Sequence, residues 1–338
     1  RVVPNLEFSF QHALVQDVAY QTLLKSMRRD LHDRLLGALE QRRDSDLAGR
    51  IELLATHAHR AQNWPKAFVY GRRAGREMIA ASRNVEAVET FERSLTCLDQ
   101  FQDTRRNQER RVDLYLDLIQ GLFPLADHDR VDFYLDAGTQ IAERISDERR
   151  MAHLESYRSL YFWGVGKMVQ AISTGRSALK HARHLRDRDL EIHVSSRLGA
   201  ALIDRGDFES ACKMLRTAIE LIPTDAHHRR YGLLNVASVS NRAALARSLS
   251  EIGAFREAVQ VGDEAVQIAD EVGHPFSQVY ANLWMGNTLI KSADYARAIP
   301  PLERCVHMTE SPGLNLLRPR SMSSLGYAYF SSGQQEKG

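Results

Sequence analysis

From about residue 11 to the end of the chain, apolar residues recur at spacings of three and four, the period of amphipathic helices. Nine prolines and 20 glycines interrupt this rhythm, mostly where helices would turn. The pattern predicts a chain that is nearly all helix. The opening differs. "LEFSF" (residues 6–10) alternates apolar and polar positions like a short strand. "HALVQDVAYQTLL" then presents Ala13, Leu14, Val18, Leu23 and Leu24 at helical spacing, and "MRRDLHDRLLGALEQ" follows as a second helix.

Four stretches align on their turns: "LGAALIDRGDFESACKMLRTAIELIP", "LARSLSEIGAFREAVQVGDEAVQIAD", "MGNTLIKSADYARAIPPLERCVHMTE" and "LGYAYFSSGQQ". The alanine that opens each second helix recurs at Ala171, Ala211, Ala258 and Ala298, intervals of 40, 47 and 40 residues. Periods of this size signal a solenoid of helix pairs. The repeated residues have steric reasons. A small residue at Gly199, Ala246 or Gly286 lets the second helix cross close by, and an aromatic at Phe208, Phe255 or Tyr295 is expected to wedge the pair over the alanine. These positions resemble the tetratricopeptide repeat, stretched beyond its usual ~34 residues. The resemblance is strong over residues 187–333 and weaker upstream, where Trp64, Ala67, Ala87, Phe91, Ala171 and Ala178 carry it. Residues 101–150 keep the helical rhythm with few marker residues. The expected fold class is all-α: a right-handed superhelix of antiparallel helix pairs from about residue 45.

Composition narrows the function. With 45 basic and 43 acidic residues the net charge is +2, so nothing in the overall balance calls for nucleic acid. No apolar run is long enough to span a bilayer, so no membrane partner is expected. Cys97, Cys212 and Cys305 are too far apart for a CxxC site and fit a reducing cytoplasm. Arg1 stands first with no leader after it, and a missing natural N-terminus is expected. No GxxxxGK[ST], HExxH or GxSxG occurs, so no catalytic or metal site is expected in this chain. Gly164 to Lys167 reads as a turn, His181 and His184 as solvated surface, and His227 to Arg230 as a charged loop or helix start.

"FSFQHALVQDVAYQTLLKSMRRDLHDRLLGALE" resembles the segment that joins the ATPase module to the repeats in bacterial signalling ATPases of the STAND class, most closely those that are class III adenylate or guanylate cyclases. The likeness is dense over residues 6–40 and looser through residue 95, with Ser94 where such proteins place alanine. It implies the end of a winged-helix segment at 1–42, first helical repeats at 43–100, divergent repeats at 101–186, and repeats of about 40 residues at 187–338, the last truncated. ATP or ADP with magnesium would belong to the full-length parent, with ATPase and cyclase domains as partners in cis; no cofactor is expected in this chain. By the same resemblance His12 would reach the ADP phosphate, its imidazole donating near a helix start.

The expected function is therefore a non-catalytic regulatory and interaction region. The alternative is a stand-alone repeat scaffold that assembles other proteins. DNA binding is disfavoured, because one strand and no recognition helix remain. Counting from Gly199, Ala246, Gly286 and Gly326, positions one and five beyond and three and six before each marker place His193, Ser196, Arg247, Tyr280, Asn287, Lys291, Arg320 and Tyr327 along a groove suited to a protein or peptide ligand.

Overall fold

The computed structural model describes residues 13–41, 47–311, 314–334 and 336. The "LEFSF" strand and His12 lie outside the described residues. Among those described the chain is helix and turn, with no strand. Contacts divide it into two units, Arg1–Tyr134 and Leu135–Gly338.

The first unit holds α1 (Ala13–Thr22), α2 (Lys25–Gln41), α3 (Leu47–Arg60), α4 (Trp64–Ala80), α5 (Asn84–Leu98), α6 (Arg105–Leu122) and the start of α7 (His128–Arg144). Its core includes Leu36, Ile51, Leu54, Ala58 and Phe91, with Leu114, Leu118 and Leu122 from α6. Gly75 on α4 is required by close approach: a Cβ there would strike the fully buried ring of Phe91 on α5. On another side of α4, Arg72 reaches Asp117 of α6 at 2.5 Å and Arg76 reaches the same carboxylate at 3.0 Å, so one buried acid is held by two arginines.

The second unit begins in α7 and continues through α8 (Glu148–Gly164), α9 (Met168–His184), α10 (Arg188–Arg205), α11 (Phe208–Leu221), α12 (Ala237–Glu251), α13 (Phe255–Val272), α14 (Pro275–Lys291), α15 (Tyr295–Met308) and α16 (Arg318–Ser331). The repeated pairs α8/α9, α10/α11, α12/α13 and α14/α15 pack helix against helix, and each first helix also meets the first helix of the next pair. The spacing reading is correct here: a Cβ on Gly199 would lie 2.7 Å from Leu215 of α11, and one on Gly286 would collide with Leu302 of α15. The aromatic wedge is weaker than expected, since Phe208 and Tyr295 are half-buried and Phe255 is 38% exposed.

Turns within pairs share one reversal, a residue at positive φ such as Gly206 (φ 85°), and before α11 and α15 the next residue also caps the second helix through its side chain. Asp207 accepts from the Ser210 N–H at 3.3 Å and Asp294 from the Arg297 N–H at 3.4 Å. The second helices bury a narrow stripe, as in Ala258, Gly262, Ala265 and Ala269 of α13, whereas α10, α12 and α14 are buried nearly all round. That asymmetry follows from position, because a first helix has neighbours on both flanks. No helix among the described residues is long and apolar enough to cross a membrane.

The 47-residue interval arises from the segment between α11 and α12, which makes a 3₁₀ turn at Thr224–Ala226 and then irregular turns. His227 to Arg230 is thus a turn, with Arg229 paired to Asp189 at 2.6 Å. The segment folds back on α10: the Tyr231 carbonyl accepts from His193 Nδ1 at 2.7 Å. Gly232 is forced here by both conformation and space, having φ 77° and a virtual Cβ 3.0 Å from the His193 ring.

Candidate functional site

The close-crossing residues Ser159, Gly199, Ala246, Gly286 and Gly326 occupy one register of the first helices. Two positions before them stand Tyr157, Arg197, Ala244, Trp284 and Ser324; six before stand His153, His193, Ser240, Tyr280 and Arg320. Repeating helices bring equal register positions of successive first helices side by side. The result is a polar and aromatic column along α8, α10, α12, α14 and α16.

Its contacts are cation–π and hydrogen bonds across repeats. The Arg197 guanidinium lies 4.2 Å from the centre of the Tyr157 ring. Farther along, Arg247 and Arg320 both lie over the Trp284 indole, at 4.6 and 4.4 Å. Tyr280 meets the same indole edge-on at 6.0 Å between centroids. Asp204 ties three successive repeats together, accepting from Trp163 Nε1 of α8 at 2.9 Å and pairing with Arg247 of α12 at 3.1 Å.

The residues named from spacing fall into three groups. His193 and Ser196 are buried and bonded internally: His193 to the Tyr231 carbonyl, and Ser196 Oγ donating to the Ile192 carbonyl at 2.7 Å. Arg247, Tyr280 and Arg320 gather round Trp284. Asn287 donates to the Leu283 carbonyl at 2.8 Å and accepts from Ser324 at 3.0 Å. Lys291 pairs with Glu251 at 2.9 Å, and Tyr327 is exposed with its ring edge-on to Tyr295.

Spacing did not single out the position two before the marker, which carries Tyr157, Arg197 and Trp284. The signal was available: those residues repeat in the same register, and an arginine among core-like positions is unusual. Asn241 on α12 was missed as well.

Electrostatics makes this column distinctive. Burial, with Arg197 and His153 nearby, holds the His193 imidazole well below its ordinary pKa, so it stands neutral. Burial also pulls down the pKa of Arg197 and raises that of the Tyr280 hydroxyl. For Arg320 burial acts first and Arg247 second, both lowering it. Several polar atoms here are buried with no hydrogen-bond partner among the described residues: Arg197 Nη1, Asn241 Nδ2, His193 Nε2 and Trp284 Nε1. Asn241 is 1% exposed and Trp284 6%. Buried donors are nearly always satisfied in proteins, since an unmade bond costs about 1–3 kcal/mol. Chemically, the column offers N–H donors and flat aromatic faces.

Elsewhere the chain offers less. No group of three or more side chains able to hold a metal is present among the described residues. His181 Nδ1 instead faces Glu155 at 2.8 Å on an exposed surface.

A tetratricopeptide-repeat family profile matches residues 193–225, which covers most of α10 and all of α11. A stretch of 104 residues is 31% identical to an uncharacterized protein of Rhizobium meliloti (strain 1021). It makes up 31% of this chain and 10% of that protein, so the chain spans about a tenth of the length of the curated relative it matches. Among solved structures, the chain is similar to a Rap protein complexed with competence and sporulation factor, with TM-score 0.58 and 14% identity over 96% of this chain and 97% of the other. A STAND protein with a tetratricopeptide repeat sensor from Pyrococcus horikoshii gives TM-score 0.55 and 13% identity, over 96% of this chain and 53% of that one. A Rap conjugation gene regulator in complex with the Phr* peptide gives 0.57 and 12%, over 95% and 94%. At these identities the likeness is one of fold.

Proposed function

We propose that this region is a non-catalytic sensing arm that takes an extended peptide, or an extended segment of a protein, on the first-helix column of the second unit. The observation that carries this reading is the pair of buried, unpartnered donors of Arg197 and Trp284 beside aromatic faces, with a further buried, unpartnered donor on Asn241 of α12. A peptide backbone presents carbonyl acceptors at regular intervals, and its side chains need flat apolar surfaces. Two of the fold relatives are described with a bound peptide or factor, which supports the same reading.

The arm would serve a multidomain signalling ATPase, with residues 1–42 as the end of its winged-helix segment and a nucleotide cyclase as effector. Ligand capture would shift the helix stack and so the nucleotide-bearing module, which would hold ATP or ADP with magnesium. In that parent His12 would contact the ADP phosphate, and His12→Ala should lower the nucleotide content of the purified full-length protein. The likeness of fold to a STAND protein's repeat sensor supports this context.

The test is selection from a displayed random-peptide library on this chain, followed by titration of the enriched peptides. Arg197→Met and Asn241→Ala should each weaken them roughly tenfold, the effect of losing one or two buried hydrogen bonds. The joint reversal Arg247→Glu with Lys291→Glu should abolish capture, and because it sets carboxylates against Asp204 and Glu251 it should also lower the melting temperature. Failure to enrich any peptide, or enriched peptides that bind all variants equally, would overturn the reading.

A further inference from the structure

The second helices carry another feature, unrelated to the first-helix column. Between α9 and α11, with α10 beneath, lies a cleft of about 400 Å³. Its floor is apolar, made by the buried Leu179, Leu198 and Leu202 with Met214 beside them. The rim is cationic: Arg176, Lys180 and Arg183 from α9, and Lys213 from α11. Among the described residues no carboxylate lines it. Arg183 is paired with Glu191 at 2.7 Å, while Arg176, Lys180 and Lys213 have no ion-pair partner among the described residues.

The same junction is closed by opposite charges in the next repeats. Arg216 of α11 reaches Glu257 of α13 at 2.6 Å, and Arg304 of α15 grips Asp270 of α13 with two nitrogens, at 2.5 and 2.8 Å. Arg176 stands five residues after Ala171, just as Arg216 stands five after Ala211. Glu257 stands one before Ala258; the matching residue one before Ala211 is Ser210, which lines the cleft. One register position thus separates a bridged junction from an open one, and like charges face each other across the open one.

We infer that this cleft is a docking site for an acidic amphipathic segment of a partner protein, held by apolar side chains on the leucine floor and by carboxylates on the rim. The spacing selects a segment over a small anion. Arg176, Lys180 and Arg183 fall at i, i+4 and i+7, a stripe of about 10 Å along α9, which outreaches a single phosphate and matches carboxylates on successive turns of a helix. The apolar floor calls for side chains between those carboxylates, as a helix laid in a groove supplies. This inference does not depend on the peptide reading of the first-helix column.

The probe is a fluorescein-labelled synthetic amphipathic helix with leucines on one face and glutamates flanking them, followed by anisotropy on the full chain. Its counterpart with lysine for glutamate, inorganic phosphate as competitor, and phosphatidylglycerol vesicles are the other arms. The acidic peptide should bind saturably, more weakly at high salt, and the lysine peptide should not bind. Ser210→Glu places a carboxylate beside Arg176 in the first turn of α11, where helix polarity favours it, and should weaken binding roughly tenfold. Lys180→Glu with Lys213→Glu should do at least as much, whereas Arg197→Met should leave this affinity unchanged. Circular dichroism melts confirm that each variant is folded. Equal binding by wild type and Ser210→Glu, no binding of the acidic peptide, displacement by phosphate alone, or binding to vesicles without binding to the peptide would each overturn the assignment.

Discussion

The two units treat buried charge in opposite ways. In the first, Asp117 is 7% exposed and accepts from Arg72 and Arg76, with Asp113 3.5 Å from Arg72 on its other side. Acid and base balance within the unit, and the cluster serves to join α4 to α6. In the second, Arg197 is stacked on Tyr157 and its Nη1 lacks an acceptor, as do the amide of Asn241 and the indole N–H of Trp284. A polar group whose hydrogen-bonding capacity is used up inside the fold has nothing left with which to recognise a ligand. The difference therefore separates a structural network from the proposed recognition surface, although both are rows of arginines on helices.

The largest effect should come from breaking the balanced network. Asp117→Ala strands Arg72 and Arg76 together, and losing one partner of a buried pair typically costs about 3–5 kcal/mol. Arg76 reaches solvent and Arg72 keeps Asp113, so the loss should be roughly 2–3 kcal/mol by the same reasoning. Hydrogen exchange should show it as lost protection in α4, α5 and α6. Unchanged protection there would mean the cluster is ornamental.

Acid should distinguish the units next. Burial is the first cause that lowers the pKa of His193 in the second unit and of His32 and His57 in the first. Each is then neutral in the folded chain while the unfolded chain titrates near pH 6.5. As pH falls below that value the unfolded state takes up protons that the native state refuses, so stability falls until the folded pKa is reached. The slope is at most about 1.4 kcal/mol per pH unit for each histidine. His193, facing Arg197, His153, Tyr157 and the Tyr231 carbonyl, has its pKa lowered furthest. Protection in α10 should therefore go on declining to lower pH than protection in α2 and α3, because the folded pKa at which the loss ends lies lower for His193. His193→Gln, which can keep the bond to the Tyr231 carbonyl, should flatten the slope for α10.

Much of the fold was legible in the sequence because its causes are local. Gly199 and Gly286 report a close helix crossing, and the alanine interval reports the repeat, even where residues 101–150 lack markers and still form α6 and α7. The site was only partly legible. A helix buried nearly all round has little amphipathic contrast, so the position of Trp284 and Tyr157 looks like core and was passed over for more polar positions. His193 reads as an exposed polar residue, yet a segment 38 residues away folds over it, and nothing local announces that return. Ser210 carries its meaning only beside Glu257, by comparison of one repeat with the next.

The smallest effect on stability, and the sharpest test of the contrast, is expected from Arg197→Met. If Arg197 were structural in the way of Arg72, removing it should cost as much as Asp117→Ala. The geometry argues otherwise. Its guanidinium is held by a ring and has a nitrogen with no acceptor, so its desolvation is incompletely offset, and an apolar side chain of similar length can take its place over Tyr157. The denaturation midpoint should then shift by less than about 1 kcal/mol in either direction, and a small gain would be unsurprising on the same grounds. Peptide capture should fall sharply in the same protein. A variant that loses capture while keeping its stability assigns Arg197 to recognition; one that loses both by 2–3 kcal/mol, in the manner of the Asp117 cluster, would make the column another internal network and remove the distinction between the units.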